Sequence, residues 1–133
     1  MAAAAAPAAA LQASFIEVRR APGCGCCTGW EAYMREQGFT VDGYEDPDIV
    51  SFKDSSGIPL TAQACHTAIV DGYIVEGHVP IEAVNDLLEQ RPAIDGIALA
   101  GMPQGSPGMS GQKQGPFEVV AFSGGEASVF GPY

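Results

Sequence analysis

The chain has 133 residues, of which 47% are hydrophobic, and its 16 acidic and 6 basic side chains give a formal net charge of −10. That length and composition fit a globular domain with a hydrophobic core. The acidic excess argues against nucleic acid and anionic lipid as partners, because both are bound through Lys and Arg. No apolar run approaches the roughly 20 residues needed to span a bilayer, so we expect no membrane span.

Residues 1–13 form a low-complexity, alanine-rich arm that ends in Leu11-Gln12-Ala13. A small residue at this end suits a signal peptidase, so one interpretation is the remnant of an export signal. The alternative is a disordered alanine-rich arm, and the sequence leaves both open. The export interpretation predicts a periplasmic protein, and residues 14–133 are expected to form its single domain.

The first half of that domain predicts alternating strands and helices. Residues 15–20 are apolar and β-branched, which indicates a strand, and a helix of about three turns follows, with apolar residues at i, i+3 and i+7. Gly38 suits the left-handed position after that helix. Residues 39–41 then predict a second strand, and Asp46-Pro47 predicts the N-cap and first residue of a short helix.

The second half predicts a hairpin, a helix and another hairpin. Residues 67–76 indicate two strands joined at Asp71-Gly72, a pair that favours a tight turn. Pro80 opens an amphipathic helix that stops at Pro92. A Gly/Pro-rich loop at residues 101–109 leads to a terminal hairpin. The predicted fold class is therefore α/β, with a β-α-β-α-β-β-α core and an added C-terminal β-hairpin.

Three of the four cysteines, Cys24, Cys26 and Cys27, lie at the predicted junction between the first strand and the first helix. The unpaired N–H groups and positive dipole end of a helix N-terminus favour thiolates there. Cys24 and Cys27 form a C-x-x-C pair, the spacing of redox dithiols and of half of many zinc sites. A third sulfur exceeds what a redox dithiol needs, which favours metal binding.

Thiolates are soft ligands that select Cu(I), with zinc as the common competitor. Adjacent Cys26 and Cys27 side chains diverge by about 100° on a helix, so bridging of several Cu(I) ions is favoured over chelation of one ion by all three sulfurs. Two alternatives stay open. The four cysteines can form a pair of structural disulfides, or Cys24 and Cys27 can serve as the catalytic pair of a thiol-disulfide or copper-linked oxidoreductase.

The order of elements, with C-x-x-C at the first strand-to-helix junction, resembles the thioredoxin-like fold. In glutaredoxin-type members a Val-Pro pair precedes the hairpin and faces the dithiol. Counted back from Asp71-Gly72, those two positions here hold Cys65 and His66. The resemblance therefore implies a fourth sulfur and an imidazole beside the first three sulfurs, with Cys65 next to Cys27.

Several motifs, in the same order, resemble the CopG-type metal-binding family of periplasmic, thioredoxin-like proteins associated with copper resistance. They are Pro22-Gly23-Cys24-Gly25-Cys26-Cys27 with Trp30, Cys65-His66-Thr67-Ala68, Asp71-Gly72-Tyr73, Glu76-Gly77-His78-Val79-Pro80, Gly101-Met102-Pro103 and Gly105-Ser106-Pro107-Gly108-Met109. The resemblance covers residues 15–133. It implies metal ligands at Cys24, Cys26, Cys27 and Cys65, and a protein that sequesters or relays Cu(I) among other periplasmic copper-handling proteins.

The remaining candidates are histidines and methionines. His66 is a candidate ligand, or else a histidine hydrogen-bonded at the start of a strand. His78 is interpreted as structural, with the alternative that the hairpin returns it towards the cysteines. Met34 and Trp30 are expected in the core. Met102 and Met109 lie on the predicted loop, where they either fill gaps or carry copper to and from the cysteines. For the second role the loop must close over the cysteine cluster.

Overall fold

The computed structural model describes residues 15–133, so the alanine-rich arm and its export interpretation lie outside the described residues. The described chain forms seven strands and three α-helices in the order β1-α1-β2-α2-β3-β4-α3-β5-β6-β7. Their bounds are β1 Phe15–Arg20, α1 Gly25–Glu36, β2 Thr40–Glu45, α2 Ile49–Ser55, β3 His66–Val70, β4 Tyr73–Gly77, α3 Ile81–Gln90, β5 Gly96–Leu99, β6 Glu118–Ser123 and β7 Glu126–Pro132. A 3₁₀ turn, Leu60–Ala62, precedes β3.

All seven strands belong to one sheet, in the order β2-β1-β3-β4-β5-β6-β7. The pairs β1/β2 and β4/β5 are parallel, and the other neighbours are antiparallel. The predicted hairpin turn is confirmed, because Asp71 and Gly72 both adopt the positive φ angles of a tight β3–β4 turn. The mixed α/β fold predicted from the sequence is thus confirmed, and it is compatible with a thioredoxin-like arrangement.

The core lies on both faces of this sheet. Trp30 and Met34 of α1 and Leu87 of α3 are fully buried against one face, in one cluster with Ile16 and Val18 of β1. A second cluster covers the opposite face and consists of Ile58, Ala62, Ala98 and Phe122. Because strand side chains alternate between faces, both faces being buried explains why the central strands read as continuous apolar runs.

Two elements differ from the sequence interpretation. No strand is predicted between the last helix and the terminal hairpin, whereas Gly96–Leu99 forms β5, which is too short and too completely buried to show alternation. The second helix begins at Ile49, with Asp48 as its N-cap, rather than at Pro47. Asp46 instead accepts the Asp48 N–H at 2.9 Å in a turn before the helix.

Strand register brings the two cysteine-bearing segments together. Strand β1 runs into the cysteine loop, and its antiparallel partner β3 starts beside that point, with Arg20 opposite His66. Cys65 therefore precedes β3 at the end of the sheet where α1 begins. Strands β5 and β6 are antiparallel neighbours joined by residues 100–117, and this connection contains the predicted methionine loop. Among the helices of residues 15–133, none is long and apolar enough for a membrane crossing.

Candidate metal centre

The four cysteines meet at the N-terminus of α1. Cys24 is the N-cap residue, with an extended backbone, and Cys26 and Cys27 occupy the first turn. The four Sγ atoms lie within 4.8 Å of one another. The Cys65 Sγ is 4.0 Å from the Cys26 Sγ, which confirms that the segment before β3 faces the cysteine loop.

The cysteines are in two different states. Cys24 and Cys27 form a disulfide, while Cys26 and Cys65 are free and half-buried. The Cys26 Sγ lies 3.5 Å from the Cys24 Sγ. Of the two structural disulfides considered from the sequence, one is formed, and it is the C-x-x-C pair. Metal binding by all four sulfurs therefore requires two-electron reduction of this disulfide.

The divergence expected for neighbouring helical side chains is visible in their burial. Cys27 is fully buried, whereas Cys26 is half-exposed. The sulfurs of Cys26 and Cys27 nevertheless belong to one cluster with those of Cys24 and Cys65. Two sulfurs that share one metal at a bond length of about 2.3 Å are about 3.8 Å apart in tetrahedral geometry. The observed separations of 3.5 and 4.0 Å are close to this value, so these sulfurs are near enough to share a metal ion.

His78 faces the cluster, which is the alternative to the structural role favoured in its sequence interpretation. Its Nε2 lies 3.2 Å from the Cys65 Sγ, and its Nδ1 donates to the Pro107 carbonyl oxygen at 2.6 Å. Burial lowers the pKa of His78, so the neutral ring is favoured. Because a carbonyl only accepts, Nδ1 carries the hydrogen, and Nε2 presents its lone pair to Cys65. A neutral histidine with an oriented lone pair is a ready metal ligand.

His66 is the second imidazole at the site. Its Nδ1 is 3.5 Å from the Cys65 Sγ, and its ring packs between Trp30 and His78, with ring centroids 4.8 and 5.2 Å away. Burial, followed by the charges of His78 and Lys53, lowers the pKa of His66 to about 3. Its Nε2 is buried and has no hydrogen-bond partner among residues 15–133. Cys65, His66 and His78 also form a possible three-ligand metal group.

Cys65 is a thiol in the metal-free protein. Burial, with a further contribution from Cys26, raises the pKa of Cys65 to about 12. The thiol can donate to the lone pair of His78. A metal that binds Cys65 must therefore displace a proton, as metals commonly do at cysteine ligands.

The connection between β5 and β6 reaches the cysteine cluster through Met102, one of the two methionines in that connection. The Cys26 thiol donates to the Met102 Sδ at 3.6 Å, which brings a thioether next to the thiols. Met102 is exposed and has a φ of 46°, a strained backbone conformation for a residue other than glycine. The same connection contacts α1 through two glycines: a Cβ on Gly29 would lie 3.0 Å from the Gly108 oxygen.

Met109 lines a cavity of about 610 Å³. The other lining residues are Tyr33, Pro80, Glu82, Gly105, Ser106, Pro107, Gly108, Lys113, Phe117 and Tyr133. No cysteine of the described chain is among them, whereas Met102 contacts the Cys26 sulfur. Met34 and Trp30 are in the core as predicted, and the Trp30 Nε1 donates to the Val79 carbonyl at 3.0 Å.

A buried ion pair supports the segment that carries Cys65. The Lys53 ammonium donates to Glu76 and, at 2.7 Å, to the Thr67 hydroxyl. Glu76 in turn accepts the Ala64 N–H at 2.9 Å, immediately before Cys65. Both charged side chains are buried. Sequence reasoning did not find this pair, since a lone Lys on a short helix carries no signal of burial.

The comparisons with known proteins agree with this geometry. A family model described as "Protein of unknown function, DUF411" matches residues 62–109, the segment that holds Cys65, both histidines and the methionine loop. No curated protein matches the chain. Two solved structures do, those of copper resistance protein CopG in form 1 and form 2.

The form 1 structure is 39% identical, with a TM-score of 0.81 over 90% of this chain and 96% of that one. The chain belongs to the CopG family of copper-resistance proteins. The form 2 structure gives 38% identity and a TM-score of 0.80, over 90% of this chain and 97% of that chain. The CopG resemblance drawn from the cysteine, histidine and methionine motifs is thereby confirmed.

Proposed function

We propose that this CopG-family protein binds Cu(I) through Cys24, Cys26, Cys27 and Cys65, and that it sequesters or relays copper in the periplasm as part of copper resistance. The observation that carries the proposal is the convergence of four sulfurs within 4.8 Å at a helix N-terminus. Family membership supports copper as the metal. The expected partners are copper itself and other periplasmic copper-handling proteins.

The ligand chemistry favours Cu(I) over other ions. Thiolate and thioether sulfurs are soft donors, and imidazole also suits copper. Zinc is the main competitor, because it accepts any tetrahedral Cys/His set. The Met102 thioether, 3.6 Å from the Cys26 Sγ, distinguishes the two metals, since thioethers are copper ligands rather than zinc ligands.

The arrangement also favours more than one copper ion. Once the disulfide is reduced, four thiolates and two imidazoles exceed the two to four ligands of a single Cu(I), and neighbouring sulfurs at 3.5 and 4.0 Å are close enough to share ions. Cys26 is central, because its sulfur lies near Cys24, Cys65 and Met102. Bridging through Cys26 would let one chain hold a small copper cluster.

Anaerobic titration of the reduced protein with Cu(I), against a competing Cu(I) chelator, tests the proposal. We expect more than one Cu(I) per chain, and a lower stoichiometry for Cys26→Ser. Thr28→Ser, two residues further along α1 and exposed, is the matched control and should bind as the parent does. A 1:1 endpoint that Cys26→Ser leaves unchanged would exclude the multinuclear form, and retention of zinc in preference to Cu(I) would overturn the copper assignment.

A second candidate function is a thiol-disulfide or copper-linked oxidoreductase. The observation that favours it is the Cys24–Cys27 disulfide at the start of α1, where the helix dipole stabilises a departing thiolate. An insulin-reduction assay on metal-free protein tests this function. Activity should disappear in Cys24→Ser and persist in Met102→Leu. A parent protein that does not reduce insulin would argue for copper binding alone.

A further inference from the structure

Two free cysteines lie side by side next to the disulfide. The Sγ atoms of Cys26 and Cys65 are 4.0 Å apart, and Cys26 is also 3.5 Å from Cys24, one of the two disulfide sulfurs. A disulfide bond needs about 2.05 Å between sulfurs, so closure of Cys26 and Cys65 requires a shift of about 2 Å. Cys65 lies in irregular chain between the turn Leu60–Ala62 and β3, where such a shift is feasible.

We propose that Cys26 and Cys65 form a second redox pair, and that the disulfide moves between Cys24–Cys27 and Cys26–Cys65 by intramolecular exchange. Cys26 is the residue that connects the two pairs, because its sulfur is close to a sulfur of each. The exchange needs no copper. Its test can therefore fail while copper binding stands, and copper binding can fail while the exchange stands.

The exchange takes two balanced steps of ordinary thiol-disulfide chemistry. In the first, the Cys26 sulfur attacks the Cys24 sulfur: a Cys24–Cys26 bond forms, the Cys24–Cys27 bond breaks, and Cys27 takes up the proton that Cys26 loses. In the second, Cys65 attacks Cys26: a Cys26–Cys65 bond forms, and Cys24 takes up the Cys65 proton. One disulfide and two thiols are present before and after, so no external oxidant or reductant is consumed.

The exchange would change which sulfurs can bind metal. With the disulfide at Cys24 and Cys27, the free thiols are the half-buried Cys26, next to Met102, and Cys65, next to His78. After exchange, the free thiols are Cys24 and the buried Cys27. With an external disulfide as oxidant, both pairs can close, so that the four cysteines hold four electrons rather than the two of a C-x-x-C pair.

The double variant Cys24→Ser/Cys27→Ser tests the second pair directly. The metal-free, reduced variant is incubated without oxygen with one equivalent of glutathione disulfide, then acid-quenched, alkylated and digested with trypsin. Cleavage after Arg20, Arg35 and Lys53 places Cys26 and Cys65 on separate peptides. We expect these peptides to be joined by a disulfide, in a protein of monomer mass, with two glutathiones released. Persistent glutathione adducts, or a link found only in dimers, would overturn the second pair.

The parent protein tests the movement of the disulfide. After the same treatment of fully reduced parent protein, peptide fragmentation should place the cross-link between Cys26 and Cys65 in at least about a tenth of the molecules, a ratio that corresponds to a difference of about 30 mV between the pairs. Cys24→Ser/Cys65→Ser retains adjacent Cys26 and Cys27 and is the control that must give no cross-link. A parent protein with a smaller cross-linked fraction than this refutes the exchange, whatever the double variant shows.

Discussion

His78 lies opposite Cys65 across the β3–β4 hairpin, with its Nε2 atom 3.2 Å from the cysteine Sγ. The hairpin pairs Val70 with Tyr73 and Thr67 with Glu76, and the same register carried two residues further pairs Cys65 with His78. The other ring nitrogen holds the Pro107 carbonyl at 2.6 Å. One side chain therefore joins the cysteine cluster to the connection that covers it.

We expect the two nitrogens of His78 to have separable effects. His78→Asn keeps a donor near the position of Nδ1 but removes the group that faces Cys65, whereas His78→Ala removes both. Both variants should bind Cu(I) about 10–100-fold more weakly, the usual cost of losing a ligand's support. His78→Ala should release Cu(I) faster than His78→Asn, because it also frees Pro107. Competition with a Cu(I) chelator measures affinity. An unchanged affinity in His78→Asn would show that the His78 Nε2 atom does not contribute to copper binding.

The two loop methionines provide a matched pair. Met102→Leu removes a thioether 3.6 Å from the Cys26 Sγ, and Met109→Leu makes the same change in the cavity. Leucine keeps the apolar volume, so neither should alter folding. We expect Met102→Leu to slow Cu(I) exchange with a chelator severalfold at unchanged stoichiometry, because a weak neutral donor assists transfer. Stopped-flow rates test this. A copper role for Met109 stays a prediction, which a slowed Met109→Leu would support.

The contact of the connection with α1 should be sensitive to one methyl group. Gly108 has a φ of +87°, and a Cβ there would lie 2.6 Å from the Trp30 backbone nitrogen. Gly108→Ala should therefore cost at least about 1 kcal/mol of unfolding free energy from the left-handed backbone alone. It should also displace Met102 and alter Cu(I) exchange. Gly115→Ala, in the same connection but with no atom within 4 Å of its Cβ, is the control. Equal stabilities in urea would contradict the contact.

Removing one partner of the buried Lys53–Glu76 ion pair should lower the free energy of unfolding strongly. Burial raises the pKa of Glu76, and the Lys53 ammonium opposes that rise. Lys53→Met leaves a buried carboxylate without its cation, so we expect a loss of about 3–5 kcal/mol in unfolding free energy. Lys53→Met/Glu76→Gln should recover much of the loss, because the Gln oxygen can still accept the Ala64 N–H. Urea unfolding at neutral pH measures both.

The pH dependence gives a second check on that pair. A protonated Glu76 needs no cation, so the difference between parent and Lys53→Met should be largest at neutral pH and shrink as the pH falls through the Glu76 pKa. A difference that does not change with pH would indicate that Lys53 contributes by packing rather than by charge.

The sequence predicted the cysteine cluster because its parts are local or fixed by a turn. Three cysteines share one helix start, and the Asp71-Gly72 turn sets the strand register that returns Cys65 to them. The same register pairs Cys65 with His78. Counting residues outward from the turn therefore also places His78 beside the cysteines, although His78 was interpreted from the sequence as structural. The disulfide could not be predicted, since two of three neighbouring cysteines must be chosen and the choice depends on helix geometry.

The remaining differences come from tertiary packing. Strand β5 carries no alternation because both of its faces are covered, and a four-residue apolar run has no distinctive period. Met102 and Met109 occupy similar Gly/Pro-rich surroundings in the sequence, so only the path of the connection decides which one meets the sulfurs. The Lys53–Glu76 pair joins residues from a helix and a strand far apart in the chain, which no local pattern reports.

Residues 100–117 join two strands that are already adjacent and antiparallel. Such strands can be joined by a two-residue turn, so the sheet itself does not require this length of chain. Closing a longer loop costs little, because the entropy of closure grows only with the logarithm of loop length. The segment that carries Met102 and Pro107 to the cluster is thus an insertion between fixed anchors, and its sequence can change to suit a different metal or partner while strand pairing stays the same.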